Sequence, residues 1–325
     1  MQMTMVEALN SALGLELERD RRVVVLGEDI GPNGGVFRVT EHLQEKYGEE
    51  RVFDTPLAES GIIGTSIGMA VYGLRPIAEI QFAGFLFVCM NQLVSQAARM
   101  RFRSAGAYSC PLVVRAPYGG GVRTPEMHSD SLEGAFLQTP GIKIVVPSNP
   151  YDAKGLLAAA VDDPDPVLFL ENIKLYRSFR ADTPVEHYSI PLGKANVVRE
   201  GTDVSIFAYG AMVNVALEAA KQAQQETGTS VEVIDLRTIW PLDEDAITAS
   251  VAKTGRAIIV HEAPRAGGVG AEITAVINER CFYSLLKPIA RVTGYDTPYP
   301  VPGQEDYYLP TPAKVMTALR EIMEP

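Results

Sequence analysis

Three titratable residues, Glu28, Glu59 and His128, stand where their types and neighbours could do chemistry. Glu59, in Asp54-Thr-Pro-Leu-Ala-Glu59-Ser-Gly, falls between a strand-like Arg51-Val-Phe and an apolar, helix-like run from Ile62 to Val71. A strand-to-helix loop is where α/β proteins keep reactive groups, and a carboxyl there can accept and return a proton. The same place also suits a carboxylate that merely favours the positive end of a helix. His128, one of four histidines, lies between Gly119-Gly-Gly121 and a Ser-Asp-Ser-Leu-Glu helix start. Titrating near neutrality, it can hold an anion while charged and release a proton afterwards; the alternative is a solvated or capping loop histidine. Glu28, in Leu26-Gly-Glu-Asp-Ile-Gly31, suits a buried cap.

Alternating strand and helix patterns must position these groups. β-rich runs at 23–26, 75–82, 112–116, 142–146 and 167–170 alternate with helical patterns at 61–71, 85–102 and 151–161. Such alternation predicts an α/β fold with a mainly parallel sheet covered by helices. Thr4 and Glu7 have capping-box spacing ahead of a stripe at Met5, Leu9, Leu13 and Leu17, which predicts a first helix rather than an address. After Glu171 the regularity fails, and 177–200 is polar and contains proline. A second block follows, with strands at 204–208, 231–234 and 257–261 and helices at 213–226, 243–252 and 271–282. The 325 residues exceed what one core of roughly 250–300 residues holds. Two domains are expected, 1–185 and 203–325, joined by a linker at 186–202, each a mainly parallel sheet flanked by helices.

The charge of −11 arises from 40 acidic and 29 basic residues without a block of one sign, so neither nucleic acid nor an anionic membrane is an expected partner. Cys89, Cys110 and Cys281 are odd in number and widely spaced, which suits buried free thiols. No apolar run approaches the ~20 residues of a membrane helix, and cytoplasmic residence is the expectation. Gly64-Thr-Ser66-Ile-Gly68 fits a nucleophile-elbow expression, but Ser66 lies inside a helical run instead of at a strand end. Gly267-Gly-Val-Gly270 lacks the register of a dinucleotide loop.

Together with Pro147-Ser-Asn-Pro-Tyr-Asp-Ala-Lys-Gly155, Asp203-Val-Ser-Ile-Phe-Ala-Tyr-Gly210 and Val233-Ile-Asp-Leu-Arg237, these segments resemble the β-subunits of the thiamine-diphosphate-dependent 2-oxo acid dehydrogenases over nearly the whole chain. The resemblance implies a pyrimidine-binding transketolase-like domain followed by a transketolase C-terminal-like domain. It matches Glu59 to the glutamate that hydrogen-bonds N1′ of the cofactor's aminopyrimidine and shuttles protons across that ring. Phe85 matches an aromatic residue packed on the ring, Leu57 and Gln81 match its lining, and Glu28 a second acidic residue nearby. His128 matches a substrate-side histidine serving the oxo acid and acyl transfer.

Leu112, Ala160, Val161, Asp163 and Asp165 match positions that hold a structural potassium ion in some relatives, although Asp165 replaces the asparagine common there, and a plain turn is the alternative. The chain has no Gly-Asp-Gly segment, so Mg²⁺ and the diphosphate are expected on a separate α-subunit. The implied assembly is two α and two β chains docked on a lipoyl acyltransferase core. Residues 126–134 resemble pyruvate enzymes and 292–300 branched-chain ones, with pyruvate favoured.

Overall fold

Strands covered on both faces need unbroken apolar runs, and Val23–Gly27, Val113–Tyr118 and Val167–Asn172 are buried at every position. In the computed structural model, which describes residues 1–324, they belong to a seven-stranded sheet. Its order is Thr238–Trp240, Lys143–Val145, Val167–Asn172, Val113–Tyr118, Arg75–Glu79, Val23–Gly27 and Val52–Asp54. All neighbours run parallel except Thr238–Trp240, which crosses from the second half of the chain and pairs antiparallel at the edge. The register sets Gly27 beside both Asp54 and Glu79, Glu79 beside Arg115, and Tyr118 beside Asn172. The carboxyl ends of neighbouring strands therefore open along one rim, where α/β sheets bind ligands.

A second sheet has the order Ala290–Gly294, Ala257–Pro264, Val204–Ala208, Val231–Asp235, Asn196–Arg199, the last antiparallel. Two of these strands were not predicted. Asn196–Arg199, inside the expected linker, and Ala290–Gly294 are largely half-exposed, so their sequences carry neither a clean alternation nor an apolar run. Thr238–Trp240 is three residues long, too short for periodicity to reveal.

The first helix, Met5–Arg19, forms as expected. Thr4 Oγ1 accepts from the Glu7 amide at 3.3 Å, and the Glu7 carboxylate accepts from the Thr4 amide at 2.7 Å. Met5, Leu9, Leu13 and Leu17 are buried.

The helix predicted over 85–102 does not form as one piece. It breaks into a 3₁₀ turn, Ala83–Phe87, a π-helical stretch, Asn91–Ala97, and an α turn, Met100–Arg103. Two contacts account for the start of the break. Ser60 Oγ donates to the Val88 carbonyl at 2.6 Å, and Gly84 lies so close to the Met127 carbonyl that a Cβ would approach within 2.1 Å. The segment is shaped by what it touches, and π distortions are common at functional sites.

Candidate active site

Glu59 is the first residue of the helix Glu59–Val71 and is 8% exposed. Ala58 before it offers no side-chain cap, so the carboxylate itself complements the positive helix end. Glu28 follows the last residue of the strand Val23–Gly27 and is also buried. Burial first, and the Glu59 charge second, push the Glu28 carboxyl above its ordinary range. Burial and then the same Glu59 charge push the Cys89 thiol up to about 12. These effects put Glu28, Glu59 and Cys89 in one neighbourhood. The Glu59 carboxylate thus adds to burial in making Glu28 hold its proton more readily than an exposed glutamate.

The aromatic turn supplies the other wall. Phe85 meets Phe82 edge-on at 6.2 Å, and both carry the ring of His128, at 5.4 Å from Phe85 and 4.4 Å from Phe82. His128 Nδ1 faces the Glu126 carbonyl at 2.9 Å, and a carbonyl only accepts, so this nitrogen donates and Nε2 is left for a ligand. The Ser60 bond to Val88 ties the start of the Glu59 helix to the end of that turn. Glu59 and Glu28 thus lie at the rim of the first sheet, and the Ser60 bond links the Glu59 helix to the turn whose Phe85 carries His128. Gln81 is half-buried just beyond the strand Arg75–Glu79, and Leu57, two residues before Glu59, is 79% exposed in this chain by itself.

Beneath the aromatic wall lies an ion network that sequence reasoning missed. Arg115 Nη1 donates to Glu79 at 2.6 Å, and its Nε and Nη2 grip Glu171 at 2.6 and 2.8 Å. Tyr176 OH donates to Glu171 at 2.6 Å, and Phe37 bridges Tyr176 and Phe82 at ring distances of 5.0 and 5.6 Å. Burial pushes the Glu79 carboxyl up while Arg115 opposes the shift, so the network holds the strand ends at a definite spacing. A charged residue closing an apolar strand, as in Val-Leu-Phe-Leu-Glu171, is the signal that could have revealed it. Glu262 closes Ala-Ile-Ile-Val-His-Glu262 in the same way.

The five positions matched to a potassium ion have partners within the chain. The Leu112 carbonyl accepts from the Val167 amide at 2.9 Å and that of Val161 from Arg75 at 2.5 Å. Asp163 is paired with Lys143 and Asp165 with Arg101, each at 2.7 Å. Cationic side chains thus pair with the two carboxylates of this set.

Comparison with known proteins follows the same lines. Residues 1–178 match the family described as Transketolase, pyrimidine binding domain, and residues 193–315 match Transketolase, C-terminal domain. The chain is 54% identical over 323 residues to the "Pyruvate dehydrogenase E1 component subunit beta" of Staphylococcus aureus, covering 99% of each. It is 54% identical, with the same coverage, to the protein of that name from Bacillus subtilis. Among solved structures, a "Split gene transketolase, inactive beta4 tetramer" superimposes with a TM-score of 0.81 over 99% of both chains at 22% identity, a likeness of fold. With 54% identity over nearly the full length of both chains and both transketolase domains in order, the chain belongs to the family of pyruvate dehydrogenase E1 component β-subunits.

Proposed function

We propose that the chain is the β-subunit of a 2-oxo acid dehydrogenase component that decarboxylates pyruvate and passes the acyl group to a lipoyl group on an acyltransferase core. The observation that carries this reading is the buried Glu28 and Glu59 pair, whose helix is tied through Ser60 to the end of the turn that bears Phe85, in a chain of this family. That arrangement fits an aromatic heterocycle with ring nitrogens. Phe85 offers an apolar face, worth ~0.5–1.5 kcal/mol beyond burial, and Glu59 a carboxyl able to bond N1′ of an aminopyrimidine.

Bound thiamine diphosphate supplies the nucleophilic carbon and the electron sink for loss of carbon dioxide. Glu59 holds and moves the proton at N1′, and Glu28, whose carboxyl keeps its proton more readily than usual, stands next in line. His128 Nε2 orients the substrate carboxylate and delivers a proton as the acyl group leaves. Phe85 fixes the ring rather than activating it.

Leu57, Phe87 and Val88 stay exposed around the hollow, at 79%, 50% and 53%, so a second surface is needed to exclude water. An α-subunit carrying Gly-Asp-Gly would supply that surface together with Mg²⁺ and the diphosphate site, in an assembly of two α and two β chains. The pyrimidine side belongs to residues 1–185 and the closing unit to 203–325. Cytoplasmic residence accords with this, and among the described residues no helix is long and apolar enough to cross a membrane.

The test is reconstitution. The chain alone, with Mg²⁺, should neither bind thiamine diphosphate tightly nor turn over substrate, and both properties should emerge on adding the α-subunit. The complex should use pyruvate in preference to 3-methyl-2-oxobutanoate. Glu59→Gln should assemble normally yet lose turnover by about 100-fold, the usual size of a general acid-base contribution. Turnover above a tenth of the parent would contradict the role of Glu59, and preference for the branched acid would overturn the choice of substrate.

A further inference from the structure

The loop that presents His128 has no regular structure of its own between Gly119 and Ser129, and its backbone takes positive φ at Gly119, Gly121, Arg123 and Met127. Such a segment holds one shape only when its amides find fixed partners. Two of the partners come from the other half of the chain. Glu262, at the end of the strand Ala257–Pro264 and 3% exposed, accepts from the Gly120 amide at 2.9 Å through Oε2 and from Asn172 Nδ2 at 2.9 Å through Oε1. Glu305, in the helical turn Glu305–Tyr308 and 1% exposed, accepts from the Gly121 amide at 2.7 Å and from the Arg123 amide at 3.1 Å. Tyr299 OH donates to Glu305 Oε1 at 2.6 Å and holds that carboxylate in place.

Steric fit adds to the hydrogen bonds. A Cβ at Gly120 would lie 1.7 Å from Tyr299 OH, and one at Gly119 would lie 2.3 Å from Asn172 Nδ2. The Gly-Gly-Gly run is therefore explained by close approach to these anchors as much as by backbone freedom. Amide bonds to a buried carboxylate are among the stronger ones available to a loop. At its far end the same loop lays His128 on Phe82 and Phe85, so its root is bonded to the second unit and its working tip rests on the first.

We propose that Glu262 and Glu305 are positioning residues: they moor the root of the Gly119–Ser129 loop to the second unit and thereby set His128 over the Phe82–Phe85 wall. The inference rests on the role given above to His128. It makes the second unit a determinant of substrate use, acting through backbone amides rather than by contact with the substrate.

Hydrogen exchange of the 120–123 amides, together with kinetics, tests the mooring in the assembled enzyme with Mg²⁺ and thiamine diphosphate. Glu305→Ala should speed exchange at Gly121 and Arg123 at least about tenfold and lower kcat/KM for pyruvate about ten- to a hundredfold, the size expected for losing charged hydrogen bonds. Affinity for thiamine diphosphate should change less than about twofold, because the carboxyl pair and Phe85 lie off the loop. Tyr299→Phe, a gentler change, should move exchange and kcat/KM in the same direction by about threefold. Glu305→Gln, which keeps an acceptor oxygen, should recover most of the loss. Unaltered exchange in both Glu305→Ala and Tyr299→Phe would overturn the mooring, as would an equal loss of cofactor affinity, which would mark a general structural defect. Faster exchange with unaltered turnover would overturn the positioning role. If His128→Ala is silent as well, the fault lies with the role of His128; if His128→Ala is impaired, it lies with the mooring alone.

Discussion

At the scale of single residues, the division of labour between Glu59 and His128 can be separated by what each variant leaves intact. His128 touches Phe82 and Phe85, whereas the groups that feel the Glu59 charge are Glu28 and Cys89. His128→Ala should therefore bind thiamine diphosphate within about twofold of the parent, while pyruvate use and lipoyl acylation fall by about 100-fold or more, the range of acid-base catalysis. Calorimetry and single-turnover rates decide it, and a matching loss of cofactor affinity would make His128 a structural loop residue. Glu59→Gln carries a second signature. With the charge of Glu59 removed, the Glu28 carboxyl ionises more readily and its titration moves down, though burial still holds it above the ordinary value. Carbon-13 spectra of labelled glutamate would register that shift, and an unmoved Glu28 would mean the two carboxyls are not coupled. Glu28, Glu59, Phe85 and His128 stand out in the sequence through the family resemblance, because pattern alone suits a cap, a core ring or a loop histidine as well. The exposure of Leu57 was not legible there, because a side chain's burial depends on what packs over it.

Among the elements, the same distinction decides what could be read. Met5–Arg19 announced itself by a local cap and a local stripe, and both are present in the structure. The 85–102 segment is apolar enough for a helix, yet contacts with Ser60 and Met127, remote in sequence, divide it. Propensity yields to tertiary contacts of this kind. In Gly84→Ala the new methyl would meet the Met127 carbonyl, one residue before His128, and backbone cannot move aside as a flexible side chain can. The substitution should cost about 1–3 kcal/mol, as overpacking does, and lower pyruvate turnover more than the stability loss explains. Thermal unfolding and steady-state kinetics on the same preparation test this. A variant with altered stability but parental kinetics would show that the turn and the histidine loop move independently. Removal of the Thr4 cap by Thr4→Ala, far from the site, should cost about 1 kcal/mol with kinetics unchanged.

For the whole molecule, two sheets in the right order follow from the alternation of patterns, but the way the halves lock together does not. Thr238–Trp240 completes the first sheet from the second half, and Tyr118 fills the space that a Cβ at Gly210 would take. The seam between them is unusual in charge. Glu262 bonds Gly120 and Asn172, Asp235 bonds Ser148, and Glu133 accepts from Tyr209 OH at 2.6 Å, all fully or nearly fully buried. Burial pushes Glu262 up to about 7 and Asp235 up to about 7, and it raises Glu133 as well. Lys174 opposes the shift at Glu262 and Arg237 that at Asp235, while Glu133 and Asp152 add to them; His261, driven down to about 4 by burial, brings no positive charge at neutral pH. A carboxyl whose pKa is higher in the folded chain than in the unfolded one binds more protons when folded between the two values. Its stabilisation is fully present below the unfolded pKa, ~4, and is lost as pH rises through the folded value near 7. These groups should therefore make stability fall from pH 5 to pH 8, against the ordinary trend of salt-bridged carboxylates. Calorimetric unfolding across that range, for the parent and for the pair Glu262→Gln with Asp235→Asn, isolates their share. The doubly substituted chain should show a flatter decline, and since about 1 kcal/mol moves Tm by roughly 2–4 °C at larger domain sizes, the difference is measurable. Identical slopes in the two proteins would mean that both carboxyls stay ionised in the seam, held there by the amides and hydroxyls that face them.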